Sequence, residues 1–129
     1  MFDSIHIATT GVSVHRKWLD AVSDNIANIN NVSPTNGDAF QERFVRASAV
    51  EGGGVTVTGI ENGDPAGRLV YDPNHPLADE QGNVKVPDMD LADQMGYLIM
   101  AQRGYQANVA AAERASNSYQ AALNLGKNV

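Results

Sequence analysis

Residues 91–126 read LADQMGYLIMAQRGYQANVAAAERASNSYQAALNLG. Taken in alternating steps of four and three, the stretch gives Leu91, Met95, Leu98, Gln102, Tyr105, Val109, Ala112, Ser116, Tyr119, Leu123 and Gly126, with no proline to interrupt it. Residues at that spacing share one side of an α-helix, because a 3.5-residue repeat is close to one turn. At about 1.5 Å per residue such a helix is roughly 54 Å long. A small globular domain has no use for that length in its own core, so the rest of the chain is read as supplying partners for a rod.

A second stripe lies at the other end: Ile5, Ala8, Val12, His15, Leu19, Val22, Ile26 and Ile29, in unbroken steps of three and four. The spacing predicts a helix over 3–31, started by Asp3 or Ser4, whose side chains accept first-turn N–H groups. Gly11 weakens that helix by about 1 kcal/mol, which points to a bend or to the close approach of another backbone. Asn28-Ile29-Asn30-Asn31-Val32-Ser33-Pro34 is a turn-rich exit before proline. The two stripes match in period, which invites the helices to pair as an antiparallel or staggered hairpin.

Between them glycine and proline cluster, and short strand-like runs stand between these breakers: Phe40–Arg46, Val55–Ile60, Arg68–Tyr71 and Val84–Val86. Gly52-Gly53-Gly54 precedes a strand and reads as a hinge or turn. Asp88-Met89-Asp90 opens the long helix, acidic residues suiting the positive end of its dipole. The expected fold is α+β: long N- and C-terminal helices forming a coiled-coil-like hairpin, with a small β-rich lobe inserted between them. The expected divisions are an N-terminal helix over 1–31, a β-rich outer lobe with long loops over 32–89, and a C-terminal helix over 90–129.

The charge balance is acidic, with a formal net charge of −6, and that disfavours nucleic acid as a partner. Cysteine is absent, which excludes disulfides, zinc–thiolate sites and thiol chemistry. No apolar run is long enough to span a membrane. Met1-Phe2-Asp3-Ser4-Ile5-His6 lacks a basic start and a continuous apolar run, so no cleavable signal peptide is expected. From Gln94 to Leu125 the charged residues are Arg103, Glu113 and Arg114; the outer helix face is alanine, glutamine, asparagine and serine. A solvated coiled coil usually fills its outside with lysine and glutamate. Small neutral residues instead permit burial on several sides, as in a polymer; a homodimer or a lone hairpin with a weakly charged surface are the alternatives.

Candidate chemistry is sparse. Tyr71-Asp72-Pro73-Asn74-His75-Pro76, with Asp79 and Glu80, is the densest polar cluster. His75 with two carboxylates could hold a metal, or His75 and Asp72 could form a ligand site. Yet no ligand spacing repeats, and Asp-Pro and His-Pro are ordinary turn formers. No nucleophile elbow, zinc-protease motif or phosphate loop occurs. The expectation is no catalytic residue, no cofactor and no metal. His15 and Trp18 lie on or beside the first stripe, where packing is the ordinary role of such residues. Trp18 could also anchor a neighbouring subunit, since buried aromatics dominate interfaces. The stripe residues, with His15, Trp18 and Gln102 among them, are the expected assembly surface.

Three segments carry a family resemblance. Ser23-Asp24-Asn25-Ile26-Ala27-Asn28-Ile29-Asn30-Asn31 resembles the Asn-Ile-Ala-Asn signature of bacterial flagellar rod and hook proteins. The run Tyr71–Asp79, continuing through Gly82-Asn83-Val84 to Pro87, is similar to a segment typical of proximal-rod members. Arg103-Gly104-Tyr105-Gln106-Ala107-Asn108-Val109, with Leu123–Lys127 behind it, resembles their C-terminal helix. The resemblance implies a non-enzymatic structural subunit of the basal-body rod. It implies assembly with itself, with the rod proteins FlgB, FlgF and FlgG, and with the membrane-embedded base (FliE and the MS ring). It also implies passage through the flagellar type III export apparatus without signal cleavage, and a place outside the inner membrane. In that setting the helix ends of a free subunit should be frayed and order on assembly.

Overall fold

The structure, a computed structural model, describes residues 2–127. In chain order its elements are α1 (Phe2–Asn28), β1 (Arg43–Ala49), β2 (Val55–Asn62), β3 (Arg68–Tyr71), β4 (Asn83–Val86) and α2 (Leu91–Lys127). This is the α+β arrangement expected from periodicity, with two long helices flanking a small β-rich region.

The helix boundaries differ slightly from expectation. α1 begins at Phe2, so Asp3 sits inside the first turn, where its charge still meets the positive end of the dipole. The helix stops at Asn28 rather than at residue 31, and Ile29 and Asn30 form a turn closed by the Asn31 N–H on the Asn28 carbonyl at 3.0 Å. α2 starts after Asp90, whose Oδ1 accepts the Asp93 N–H at 3.1 Å. That bond satisfies one of the unpaired donors of the first turn.

β1 and β2 form an antiparallel ribbon running from Arg43 opposite Asn62 to Ala49 opposite Val55. Its register slips between Arg46 and Ala47, leaving Thr58 as the extra residue on β2. The glycine run makes the turn of this ribbon: Gly52, Gly53 and Gly54 have φ of 91°, 117° and 94°, a region other residues avoid. The first strand lies over 43–49 and not over the expected 40–46. Before Arg43 the pairing is reduced to one backbone bond, Gly63 N–H to the Glu42 carbonyl at 2.7 Å, and side chains take over: Gln41 donates to the Gly63 carbonyl and the Glu42 carboxylate accepts from Gln94.

β3 and β4 form a second antiparallel pair. On its other side β4 meets Ser33, with paired backbone bonds between Ser33 and Lys85 of 2.9 and 2.8 Å. The exit of α1 and the approach to α2 are thereby stitched together, which sets the two helices side by side and antiparallel.

Candidate assembly surface

The line along which α1 and α2 meet is built from small residues. Ala8, Gly11, Val22 and Asn25 of α1 are buried, as are Gln94 and Ala101 of α2. A Cβ on Gly11 would stand closer than 3.0 Å to the Asn108 amide, and one on Gly104 closer than 3.0 Å to the His15 ring. Each glycine therefore receives a side chain from the opposite helix. Gly11 is thus a site of close approach rather than a bend. Both inserted side chains are held in place: His15 Nδ1–H donates to the Gly11 carbonyl at 2.8 Å, and Asn108 Nδ2 donates to the Gly104 carbonyl at 2.8 Å. Trp18 continues the line, its ring 6.1 Å from His15 and 6.5 Å from Tyr97, spacings at which tilted aromatic rings attract.

At the lower end the seam is polar. Asn25 and Gln94 are each 1% exposed. Asn25 Oδ1 accepts the Arg43 N–H at 2.9 Å, and Nδ2 donates to the Arg43 carbonyl at 3.0 Å and to Gln94 Oε1 at 3.1 Å. Gln94 Nε2 in turn donates to the Glu42 carboxylate. Buried amides are tolerated only when their bonds are made, and here the bonds join α1, α2 and the start of β1 at one point. The other asparagine of the motif, Asn28, bonds within its own helix to the Asp24 carbonyl at 2.8 Å.

The α2 row of Leu91, Met95, Leu98, Gln102, Tyr105 and Val109 does not face α1. At 100° per residue it is centred about a quarter turn from the buried line of Gln94, Ala101 and Asn108. The expectation that the two apolar stripes pack on each other is corrected in this respect. The α1 stripe does supply the seam through Ala8, His15 and Val22. The α2 stripe flanks the seam, because close helix contact selects small side chains and the larger ones are turned aside. Leu91, Met95, Gln102 and Leu123 are exposed; Leu98, Tyr105, Val109, Ala112 and Tyr119 are half-buried. On α1, Ile5, Val12, Leu19 and Ile26 are half-buried, as is Ile29 in the turn that follows.

The β1–β2 ribbon lies on the other side, against α1. Thr10, Val14 and Lys17 of α1 lie by Val55 and Val57, and Ala21 and Asp24 lie by Arg43 and Ile60. Trp18 and Tyr97 border a cleft with Phe44 and Val45. The bare side of the pair thus carries two apolar rims. One is Ile5, Val12, Leu19 and Ile26 of α1, and the other is Leu98, Tyr105, Val109 and Ala112 of α2. Ala27 and Ala107, from the motif segments, are exposed.

The segment around His75 sits apart from the helix pair. Tyr71, Asp72, Pro73 and Pro76 are exposed, Tyr71 at 72%. His75 Nδ1 accepts the Leu77 N–H at 3.1 Å, and Asp79 Oδ1 accepts from Gln81 and Asn83 at 3.0 and 2.9 Å. The Asn83 N–H bond holds the Asp79 carboxyl below its ordinary value of 3.8, helped by the Thr35 side chain and opposed by partial burial. Gly82, at φ 80°, makes room for Tyr71 and Pro73. These residues are used to build a loop. Among the described residues no three acidic or histidine side chains converge to hold a metal ion, and no helix is long and apolar enough to cross a membrane.

No protein-family model matches the chain. Individual relatives do. It is 30% identical over 145 aligned positions to the flagellar basal-body rod protein FlgC of Borreliella burgdorferi, covering 95% of each chain. It is 31% identical over 126 positions to FlgC of Salmonella typhimurium, covering 94% of each, and 28% identical over 147 positions to FlgC of Bacillus subtilis, covering 98% of each.

Proposed function

Since the chain belongs to the FlgC family of flagellar basal-body rod proteins and is a structural subunit of that rod, we propose that it polymerises through the side of its helix pair that the ribbon leaves bare. The observation that carries this reading is the quarter-turn offset of the α2 row from the seam. Of that row Leu91 and Met95 are exposed large apolar residues, and Leu98, Tyr105 and Val109 are only half-buried within the chain. Each aliphatic side chain buried against a neighbour would contribute about 1.5–3 kcal/mol.

In this reading residues 1–31 and 90–129 form the inner helical wall of a tube, and residues 32–89 face outward. The work is mechanical, the transmission of torque, and no chemistry is performed. Neighbours are further copies of this chain, the rod proteins FlgB, FlgF and FlgG, and the basal-body base formed by FliE and the MS ring. The subunit reaches its place outside the inner membrane through the flagellar export apparatus. Leu98→Asp tests the surface. Leu98 belongs to the bare rim rather than the seam, so the variant should keep its helix content by circular dichroism. It should lose the concentration-dependent association expected of the parent chain in sedimentation. Association equal to that of the parent overturns the reading.

A further inference from the structure

We propose that Asn25 and Thr10 are two fasteners that fix the β1–β2 ribbon to α1 at both of its ends, making it a brace and not a hinged lobe. At the open end, the Asn25 side chain behaves as a missing neighbour strand. It accepts from the Arg43 N–H and donates to the Arg43 carbonyl, the pair of bonds that one residue of an antiparallel partner exchanges. Because Asn25 is 1% exposed, water does not compete for these bonds. Its remaining amide hydrogen goes to Gln94, so the ribbon is tied to both helices through one residue.

At the turn end, Thr10 Oγ1 accepts the Val55 N–H at 3.1 Å while donating to the Ile7 carbonyl at 2.6 Å. A Cβ on Gly54 would meet Thr10 closer than 3.0 Å, and one on Gly53 would meet Ile7 equally closely. The glycines let the turn lie down on the helix. Residues 10 and 25 are about 22 Å apart along α1, close to the roughly 26 Å length of an eight-residue strand. Two attachments separated by nearly the whole ribbon remove rotation about either one. Between the two fasteners the ribbon meets α1 through Val55, Val57 and Ile60 beside Val14 and Ala21, contacts that are non-directional, and the Arg43–Asp24 ion pair is half exposed and contributes little.

The mechanical significance of the brace rests on the torque-bearing reading, but its test does not, because it uses the chain in dilute solution. The sequence has no cysteine, so introduced pairs can carry spin labels without background. Ser23→Cys with Asn62→Cys reports the open end, and Ser4→Cys with Glu51→Cys reports the turn end. Both pairs should give one narrow distance in the parent. Asn25→Ala should broaden or split the open-end distance and leave the turn end narrow; Thr10→Val should do the reverse. Narrow distances at both ends after either substitution, or broadening at both ends after either one, overturn the proposal. If Asn25→Ala does not fold, Thr10→Val decides alone: broadening confined to the turn end supports the brace, and any other result sinks it.

Discussion

Gly104→Ala tests the seam through a change of sign. In an open helix this substitution adds about 1 kcal/mol of stability, because alanine loses less backbone entropy than glycine. Here the new methyl would come closer than 3.0 Å to the Cδ2 and Nε2 atoms of His15. The imidazole cannot yield freely, since Nδ1–H is bonded to the Gly11 carbonyl and Trp18 stands beside it. Overpacking of this kind costs about 1–3 kcal/mol, and a sacrificed hydrogen bond about 1 kcal/mol more. The net effect should be a loss of about 1–3 kcal/mol, or a fall in Tm of roughly 4–12 °C. In a His15→Ala background the obstruction is gone, and the same substitution should stabilise by about 1 kcal/mol. Urea unfolding followed by circular dichroism on the four chains of the cycle measures both steps, with a coupling of about 2–4 kcal/mol expected. Stabilisation by Gly104→Ala in the parent, or the same sign in both backgrounds, would refute a seam in which His15 fills the space over Gly104.

Other consequences can be checked the same way. A methyl group on Gly96 would have no neighbour within 4 Å, so Gly96→Ala should raise stability by up to about 1 kcal/mol. Gln94→Leu strands an Asn25 amide hydrogen and the Glu42 carboxylate, and unfolding measurements should show a loss of about 1–3 kcal/mol. Asp79 is held below 3.8 by its backbone donors, so the carboxylate's contribution to the β3–β4 loop is present above that value and is lost as pH falls through the lower folded-state value. Amide chemical shifts of Gln81 and Asn83 should therefore move only in that acidic range, and Asp79→Asn should abolish the movement.

Much of the architecture is legible in the sequence because it rests on periodicity and on breakers. Unbroken steps of three and four mark both helices, and the alternation in Val55-Thr56-Val57-Thr58 marks β2. The rotation of α2 is not legible. A hydrophobic stripe shows where large apolar side chains gather, whereas tight helix contact is made by Ala101, Gly104 and Asn108, which hydropathy scarcely registers. The role of Asn25 is visible only as part of a family motif, since its partners Arg43 and Gln94 lie 18 and 69 residues away. Gln94 carries no signal beyond being an amide at the head of a helix. Local pattern sets the first strand three residues early for the same reason: Phe40–Arg46 looks strand-like by itself, but pairing begins where Asn25 presents its amide to Arg43.

α2 is also longer than its partner. In the register set by Gly11 with Asn108 and Asn25 with Gln94, Phe2 stands level with Asn117, so about ten residues of α2 continue past the end of α1. As the extension of a packed helix the tail needs no nucleus of its own, but fewer tertiary contacts protect its hydrogen bonds. The amides of this tail should therefore exchange with solvent faster than those of the paired segment in a solitary chain, and more slowly with every subunit that comes to lie along it. Hydrogen exchange in the tail is thus a built-in gauge of how many neighbours the chain has acquired.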